Sequence, residues 1–388
     1  MKILVLSPFP PRRDAPHGGS RWIAGLVPAL ARTQRIALVT LRGAGEEAVD
    51  PEIAEVCELV VEVERRVARA SPISAWRERQ RFALAASGAP GWAVGFSVHA
   101  LADELRRTAV TWQPDVAHVE SFVMAQYAGV LEPVPVVVVD QDAADTSAAM
   151  RRFRARALRG ADAVVALTER DQAALAALVP SVRIERIPLA VDLRPAPLDP
   201  AGNGRDVLFV GNFIHPPNVE AAERLVRSIF PPVAASRPDA RLVIVGDGPP
   251  ASLHASDNVV VTGRVADLDP ILDAAAVVVA PLTSGGGMRV KVLDALGAGK
   301  AVVASTLALE GIGVAAGKEV LVADGDDEFA DAIVGLLEEE SRRAELGRAA
   351  RAWAEAHVGW STIVEAYDAL YESLVSSSRA GRPARARE

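Results

Sequence analysis

Cysteine is nearly absent from this chain: Cys57 stands alone in 388 residues. One thiol excludes an internal disulfide framework and a cysteine-cluster metal site, and it suits a reducing compartment. Lysine is almost as scarce. Of 42 basic residues only Lys2, Lys291, Lys300 and Lys318 are lysines, so a lysine inside a motif departs from the chain's own habit. No apolar run approaches the roughly 20 residues of a membrane span. The opening Met1–Ser7 is broken by Pro8, Pro10 and Pro11 before a signal-peptide core can form. It predicts a first buried strand and a cytoplasmic protein. Excess positive charge is also missing. The net charge of −8 argues against nonspecific nucleic-acid binding.

What charge there is lies unevenly. Residues 1–200 hold 24 basic and 24 acidic residues; residues 201–388 hold 18 and 26. The stretch from Arg65 to Phe96 interleaves Arg65, Arg66, Arg69, Arg77, Arg79 and Arg81 with Trp76, Phe82, Trp92 and Phe96. Such a pattern fits a peripheral contact with anionic headgroups. It fits better an Arg-rich helical hairpin whose aromatics pack on the first sheet, because Glu64 and Glu78 dilute the charge.

Short Val/Ile-rich runs alternate with helical patterns along the whole chain, which predicts parallel sheets covered on both faces. The first half carries strand patterns from Lys2–Ser7 to Arg183–Ile187. A Pro/Gly-rich stretch follows, and the alternation restarts at Val207–Gly211. Helices are expected at Val219–Phe230 and Val290–Leu296, among others. We therefore expect an α/β chain of two doubly wound, Rossmann-like domains facing a central cleft. The expected division is 1–192 and 206–358, joined by a linker at 193–205. A helix at 359–375 would cross back to the first domain, and 376–388 would form a disordered tail.

The most informative segment runs Pro281-Leu282-Thr283-Ser284-Gly285-Gly286-Gly287-Met288-Arg289-Val290-Lys291-Val292-Leu293-Asp294-Ala295. A buried strand enters three glycines and then a helix. Glycines let a ligand approach the backbone, and the free N–H groups of a helix start favour phosphate. Arg289 and Lys291 fall in the first turn, where cations are poorly placed unless an anion lies between. That conflict points to a bound diphosphate, gripped by an Arg fork and a Lys point charge. The plainer alternative is a glycine turn with a surface Lys291–Asp294 pair at helical spacing.

This segment resembles the donor-binding signature of glycosyltransferase family 4, a GT-B-fold family, in its variant Gly-x-Gly-x-Arg-x-Lys-x-Leu-Glu/Asp-Ala. Gly18-Gly19 resembles the family's first glycine loop. Leu167-Thr168-Glu169 and Ile187-Pro188-Leu189-Ala190-Val191-Asp192 resemble two further landmarks. Phe209-Val210-Gly211-Asn212 with Pro217-Asn218, Val245-Gly246-Asp247-Gly248-Pro249 and Val261-Thr262-Gly263-Arg264-Val265 follow in the expected order. The resemblance covers nearly the whole chain.

The resemblance implies roles. Gly19, Gly211, Asn212, Asn218, Gly285, Gly286, Gly287, Met288, Arg289, Lys291, Val292, Leu293 and Asp294 would bind the donor. Asp294 would take the ribose hydroxyls, in place of the second Glu of a paired-carboxylate motif. The first Glu of that motif falls at Gly286, so backbone N–H groups of Gly286 and Gly287 would replace it. Gly263, Arg264 and Val265 would meet the nucleobase. Relatives carry an Arg and a Lys after the first strand of the second domain. Here that place reads Asn212-Phe213-Ile214-His215, which leaves Arg289 and Lys291 to hold the charge.

The first domain would bind the acceptor through Gly18, Gly19, Glu120 and Asp142. His118 and Glu120 lie two apart on one strand face. Glu120 stands where relatives place a functional histidine, while His118 also reads as a satisfied core histidine and Glu120 as a loop carboxylate. Asp140-Gln141-Asp142 matches a metal-binding Asp-x-Asp in form, but in this pattern it reads as cleft-lining. The expected activity is retaining transfer of a sugar from a UDP- or GDP-sugar to a glycan, lipid-linked or small-molecule hydroxyl. Glu120, Arg289 and Lys291 would be catalytic, without cofactor or metal. A nucleotide-sugar epimerase of the same fold and a non-catalytic binding subunit are the alternatives.

Overall fold

Val136 to Val139 and Ile3 to Leu6 have no polar face, as strands covered on both sides require, and all eight residues are buried. In the computed structural model they lie in the central strands of a parallel sheet. The structure describes residues 1–15, 18–65, 93, 95–141, 143, 147–253, 257–285 and 289–379.

The first sheet comprises β1 (Lys2–Ser7), β2 (Arg35–Gly43), β3 (Leu59–Arg65), β4 (Val116–Glu120), β5 (Val136–Asp140), β6 (Ala163–Ala166) and β7 (Arg183–Arg186). Their order is β3-β2-β1-β4-β5-β6-β7, every neighbour parallel. The order reverses between β1 and β4, where Val5 faces His118 across the ladder. The second sheet comprises β8 (Asp206–Val210), β9 (Arg241–Val245), β10 (Val259–Gly263), β11 (Val277–Ala280), β12 (Val302–Ala304) and β13 (Leu321–Val322). It is ordered β10-β9-β8-β11-β12-β13 and reverses between β8 and β11. Beyond the carboxyl ends of strands at such a reversal, diverging loops leave a crevice for ligands.

The described helices are α1 (Gly18–Ala31), α2 (Pro51–Glu55), α3 (His99–Trp112), α4 (Ala148–Leu158), α5 (Glu169–Leu178), α6 (Pro216–Arg224), α7 (Phe230–Ser236), α8 (Asp269–Ala274), α9 (Val290–Gly297), α10 (Asp326–Glu338), α11 (Glu340–His357) and α12 (Trp360–Arg379). Local chemistry starts several of them. Thr168 caps α5 by accepting the Asp171 N–H at 3.0 Å. Glu328 reaches back to the N–H of Gly325 at 3.1 Å and opens α10.

The chain divides into a first unit, Met1–Pro188 with Val364–Glu388, and a second unit, Leu189–Ile363. The stretch read as a linker is held against the second unit. The buried Lys300 ammonium donates to the Asp199 and Asp273 carbonyls, and Arg343 Nε donates to the Ala201 carbonyl at 3.1 Å.

Three expectations need correction. The single helix over Val219–Phe230 is instead α6, a π turn at Leu225–Ile229, and α7. Pro231 and Pro232 have no N–H to donate, and the wider turn shifts the register so that both fall in the first turn of α7. α6 also begins earlier, on Pro216 and Pro217, residues suited to a first turn. The stretch 376–379, expected to be disordered, continues α12; there Ser377 Oγ donates to the Ser373 carbonyl at 2.8 Å. The rest of that tail, and the Arg/Trp stretch from 66 to 92, lie outside the described residues. Among the described residues no helix is long and apolar enough to cross a membrane.

Candidate functional site

In the second unit, the loop after β11 lies beside the start of α6. Gly285 has φ +99°, a backbone conformation that side chains resist, and a Cβ there would stand 3.0 Å from Pro217 Cγ. Ser284 Oγ donates to Glu220 Oε2 at 2.5 Å. These contacts fix where α9 begins. Arg289 is its N-cap residue rather than a member of its first turn, and its Nη2 donates to the Gly285 carbonyl at 2.8 Å. Lys291 does lie in the first turn. Its ammonium donates to Asn218 Oδ1 at 2.5 Å and sits 4.5 Å from the centre of the Phe209 ring.

Among the described residues no carboxylate pairs with Lys291. Burial, and then repulsion from Arg289, push its ammonium down to about 7. Two cations thus crowd the positive end of a helix. An anion seated there would relieve both the repulsion and the cost of burial.

The other donor-side residues are dispersed around this point. Gly211 follows β8 and donates to the Val245 carbonyl at 2.9 Å. Asn212 accepts the Ile214 N–H on its side-chain oxygen, and its carbonyl accepts from Asn218 Nδ2 at 2.8 Å. Gly263 closes β10 at φ +70°; beyond it Arg264 is exposed and Val265 half-buried. Val292 and Leu293 are buried, so their side chains pack in the core rather than line a site. Gly286, Gly287 and Met288 lie outside the described residues.

Asp294 does not pair with Lys291. Its Oδ1 accepts from Arg194 Nη1 at 3.2 Å, and Arg194 Nε also donates to Asp269 at 2.9 Å. Burial raises the Asp294 carboxyl above its usual range, opposed by Arg194. Sequence reasoning missed Arg194, because one arginine in a Pro/Gly-rich stretch carries no periodicity to tie it to a partner 100 residues away.

In the first unit a cavity of about 300 Å³ opens at the β1/β4 reversal. The loop after β1 brings Phe9, α1 brings Gly19, and β4 and β5 bring Glu120 and Asp140. Gly18 has open space around it, whereas a Cβ on Gly19 would stand 2.7 Å from the Phe9 ring. Asp140 is fully buried and pairs with Arg154 Nε at 3.0 Å, while Arg154 stacks over Phe122. Asp142 lies outside the described residues.

Glu120 is held tightly. Its Oε1 accepts from Trp22 Nε1 at 3.1 Å and lies 2.8 Å from His118 Nε2. The other nitrogen of His118, Nδ1, lies 2.6 Å from the hydroxyl of Tyr371 on α12. His118 is thus fully buried with both nitrogens engaged, as a core histidine would be, yet one of its partners lines the cavity.

Two parallel-sheet units of this kind make a GT-B fold, and solved structures agree. Sucrose-phosphate synthase from Thermosynechococcus elongatus superposes with a TM-score of 0.71 at 16% identity, covering 97% of this chain and 100% of that one. HepE of Anabaena in complex with UDP gives 0.68 at 17% identity, over 96% and 100%. Residues 204–339, within the second unit, match the family model described as glycosyl transferases group 1.

Among curated relatives, a Corynebacterium glutamicum protein is 35% identical over 162 residues, 37% of this chain and 42% of that protein. It is the GDP-mannose-dependent monoacylated alpha-(1-6)-phosphatidylinositol monomannoside mannosyltransferase. The phosphatidyl-myo-inositol mannosyltransferase of Mycolicibacterium smegmatis is 32% identical over 185 residues, 44% and 46% of the two chains. The chain spans less than half the length of these relatives in each match.

Proposed function

We propose that this chain is a retaining glycosyltransferase that takes a sugar from a UDP- or GDP-sugar and passes it to a hydroxyl of a second substrate. The observation that carries the reading is the pair Arg289 and Lys291 at the start of α9, a buried ammonium with no carboxylate partner among the described residues. The family match to residues 204–339 supports it.

In this mechanism the donor diphosphate takes the place of the missing counter-ion. As the bond between the sugar and the diphosphate breaks, negative charge grows on the departing phosphate oxygen. Lys291, Arg289 and the first N–H groups of α9 stabilise that charge, with no metal in the role. The same oxygen accepts the proton of the attacking hydroxyl on the face from which it left, so configuration is retained. Asp294, oriented by Arg194, would accept the ribose hydroxyls.

The test is calorimetry on nucleotide and nucleoside in parallel. Arg289→Ala and Lys291→Ala should each weaken UDP or GDP binding by about 10- to 100-fold, and leave uridine or guanosine binding nearly unchanged. Equal losses for nucleotide and nucleoside would remove the diphosphate from this site.

A further inference from the structure

The first-unit cavity and the side chains behind Glu120 carry more than a general assignment. We propose that this cavity binds an uncharged, hydroxyl-rich ring, a hexose or a cyclitol, through Glu120, and that Tyr371 and His118 are positioning residues for that carboxylate. The inference rests on the glycosyltransferase reading, of which it would be the acceptor site.

The hydrogen bonds run in one direction. Tyr371 is fully buried, and burial holds its phenol well above the usual range, so it keeps the proton it can donate. The Glu120 carboxylate can only accept, so His118 Nε2 carries a proton toward it, and in the neutral ring Nδ1 then accepts from the Tyr371 hydroxyl. Trp22 Nε1 is donor only, and it aims at the same oxygen, Oε1. Two donors therefore fix one oxygen of Glu120, and neither engages Oε2. A carboxylate held in this way presents an acceptor of fixed direction to the cavity, which suits a hydroxyl proton.

The surroundings set the class of ligand. Asp140 is already neutralised by Arg154, so Glu120 gives the cavity its charge. Among the described lining residues none is cationic, so a phosphate would meet a like charge and no counter-ion. Phe9, Phe96, Phe122 and Ile23 supply apolar wall, which suits the C–H face of a ring whose rim carries hydroxyls. The volume of about 300 Å³ is at the small end for ligand cavities and is enough for one ring.

The indole N–H of Trp22 is a built-in reporter. The full chain, labelled with ¹⁵N and with that resonance assigned through Trp22→Phe, is titrated with methyl α-mannoside, methyl α-glucoside and myo-inositol. Mannose 6-phosphate and glucosamine are titrated beside them. At least one neutral ligand should shift the resonance saturably, and the phosphate should not. Glu120→Gln should weaken that binding about tenfold. Tyr371→Phe keeps the ring but removes the donor. It should weaken binding several-fold and move the His118 ¹⁵N signals away from a single Nε2–H tautomer.

A silent Trp22 with every neutral ligand overturns the proposal, as does phosphate or glucosamine binding more tightly than the neutral rings. Unchanged affinity in Glu120→Gln also overturns it. An unmoved His118 tautomer in Tyr371→Phe removes the positioning role. UDP and GDP thermal shifts on the same samples report separately on the second unit. Nucleotide binding beside a silent cavity sinks this proposal alone. Sugar binding with no nucleotide binding sinks the glycosyltransferase reading and leaves the cavity assignment standing.

Discussion

Lys291 is the residue on which pH should act. Its ammonium sits at about 7 without a ligand, because burial and Arg289 disfavour the charge. Binding a diphosphate requires the charged form, so its pKa rises in the complex. At pH 8 binding should take up about 0.9 proton, and at pH 6 very little. Above pH 7 the affinity should therefore fall, approaching about tenfold per pH unit. Calorimetry with UDP-glucose or GDP-mannose, in buffers of different ionisation enthalpy, reads the proton directly. Their phosphates do not titrate in this range. Lys291→Met should abolish both the uptake and the slope. At this scale the sequence was informative where a residue broke a rule. A rare lysine at a helix start pointed to a site before any partner was known. Arg194, Tyr371 and Trp22 broke no rule, and only tertiary contact joins them to Asp294, His118 and Glu120.

Strands and most helices were legible because their physics is local. β1 at Lys2–Ser7 and β7 at Arg183–Arg186 lie inside the strand runs expected from their apolar patterns, and α9 at Val290–Gly297 covers the helix expected at Val290–Leu296. Elements that depend on register were not legible. The π turn at Leu225–Ile229 answers Pro231 and Pro232, which lie beyond its end in the next helix, and α8 is six residues long, too short for a periodic signal. The loop before α9 carries a prediction of its own. Gly285→Ala would place a side chain at φ +99° and against Pro217, costing about 1–3 kcal/mol of stability. Because this loop sets the start of α9, nucleotide affinity should fall as well. Urea denaturation and nucleotide titration on one preparation test both. A variant as stable as the parent, with parental affinity, would show that the loop is not strained.

For the whole molecule, two expectations concern what it does without. If cationic side chains and helix N–H groups carry the leaving charge, transfer from the nucleotide sugar should persist in excess EDTA. Loss of activity restored by magnesium or manganese would instead bring metal to the acidic positions near Asp140. The Arg/Trp stretch between β3 and α3 makes the other expectation. If it meets anionic lipid, the chain should cosediment with vesicles rich in phosphatidylglycerol at low salt and be released at high salt. Replacing Arg77, Arg79 and Arg81 by Ala should abolish the effect. Recovery in the supernatant with every vesicle at low salt would remove the lipid contact.

The hydrogen bond between His118 and Tyr371 also sets an order of events during synthesis. The two residues are 253 positions apart, and every residue of the second unit is made between them. At about 5–20 residues per second the ribosome needs on the order of 10–50 s to travel from one to the other. Throughout that interval the nascent first unit holds a sheet whose histidine has no phenol to meet and whose aromatic partners, Tyr367 and Tyr371, do not yet exist. The half of the chain that emerges first is therefore completed last. A ribosome that stalls before Val364 leaves a first unit whose His118 lacks both tyrosines that pack against it, Tyr367 and Tyr371.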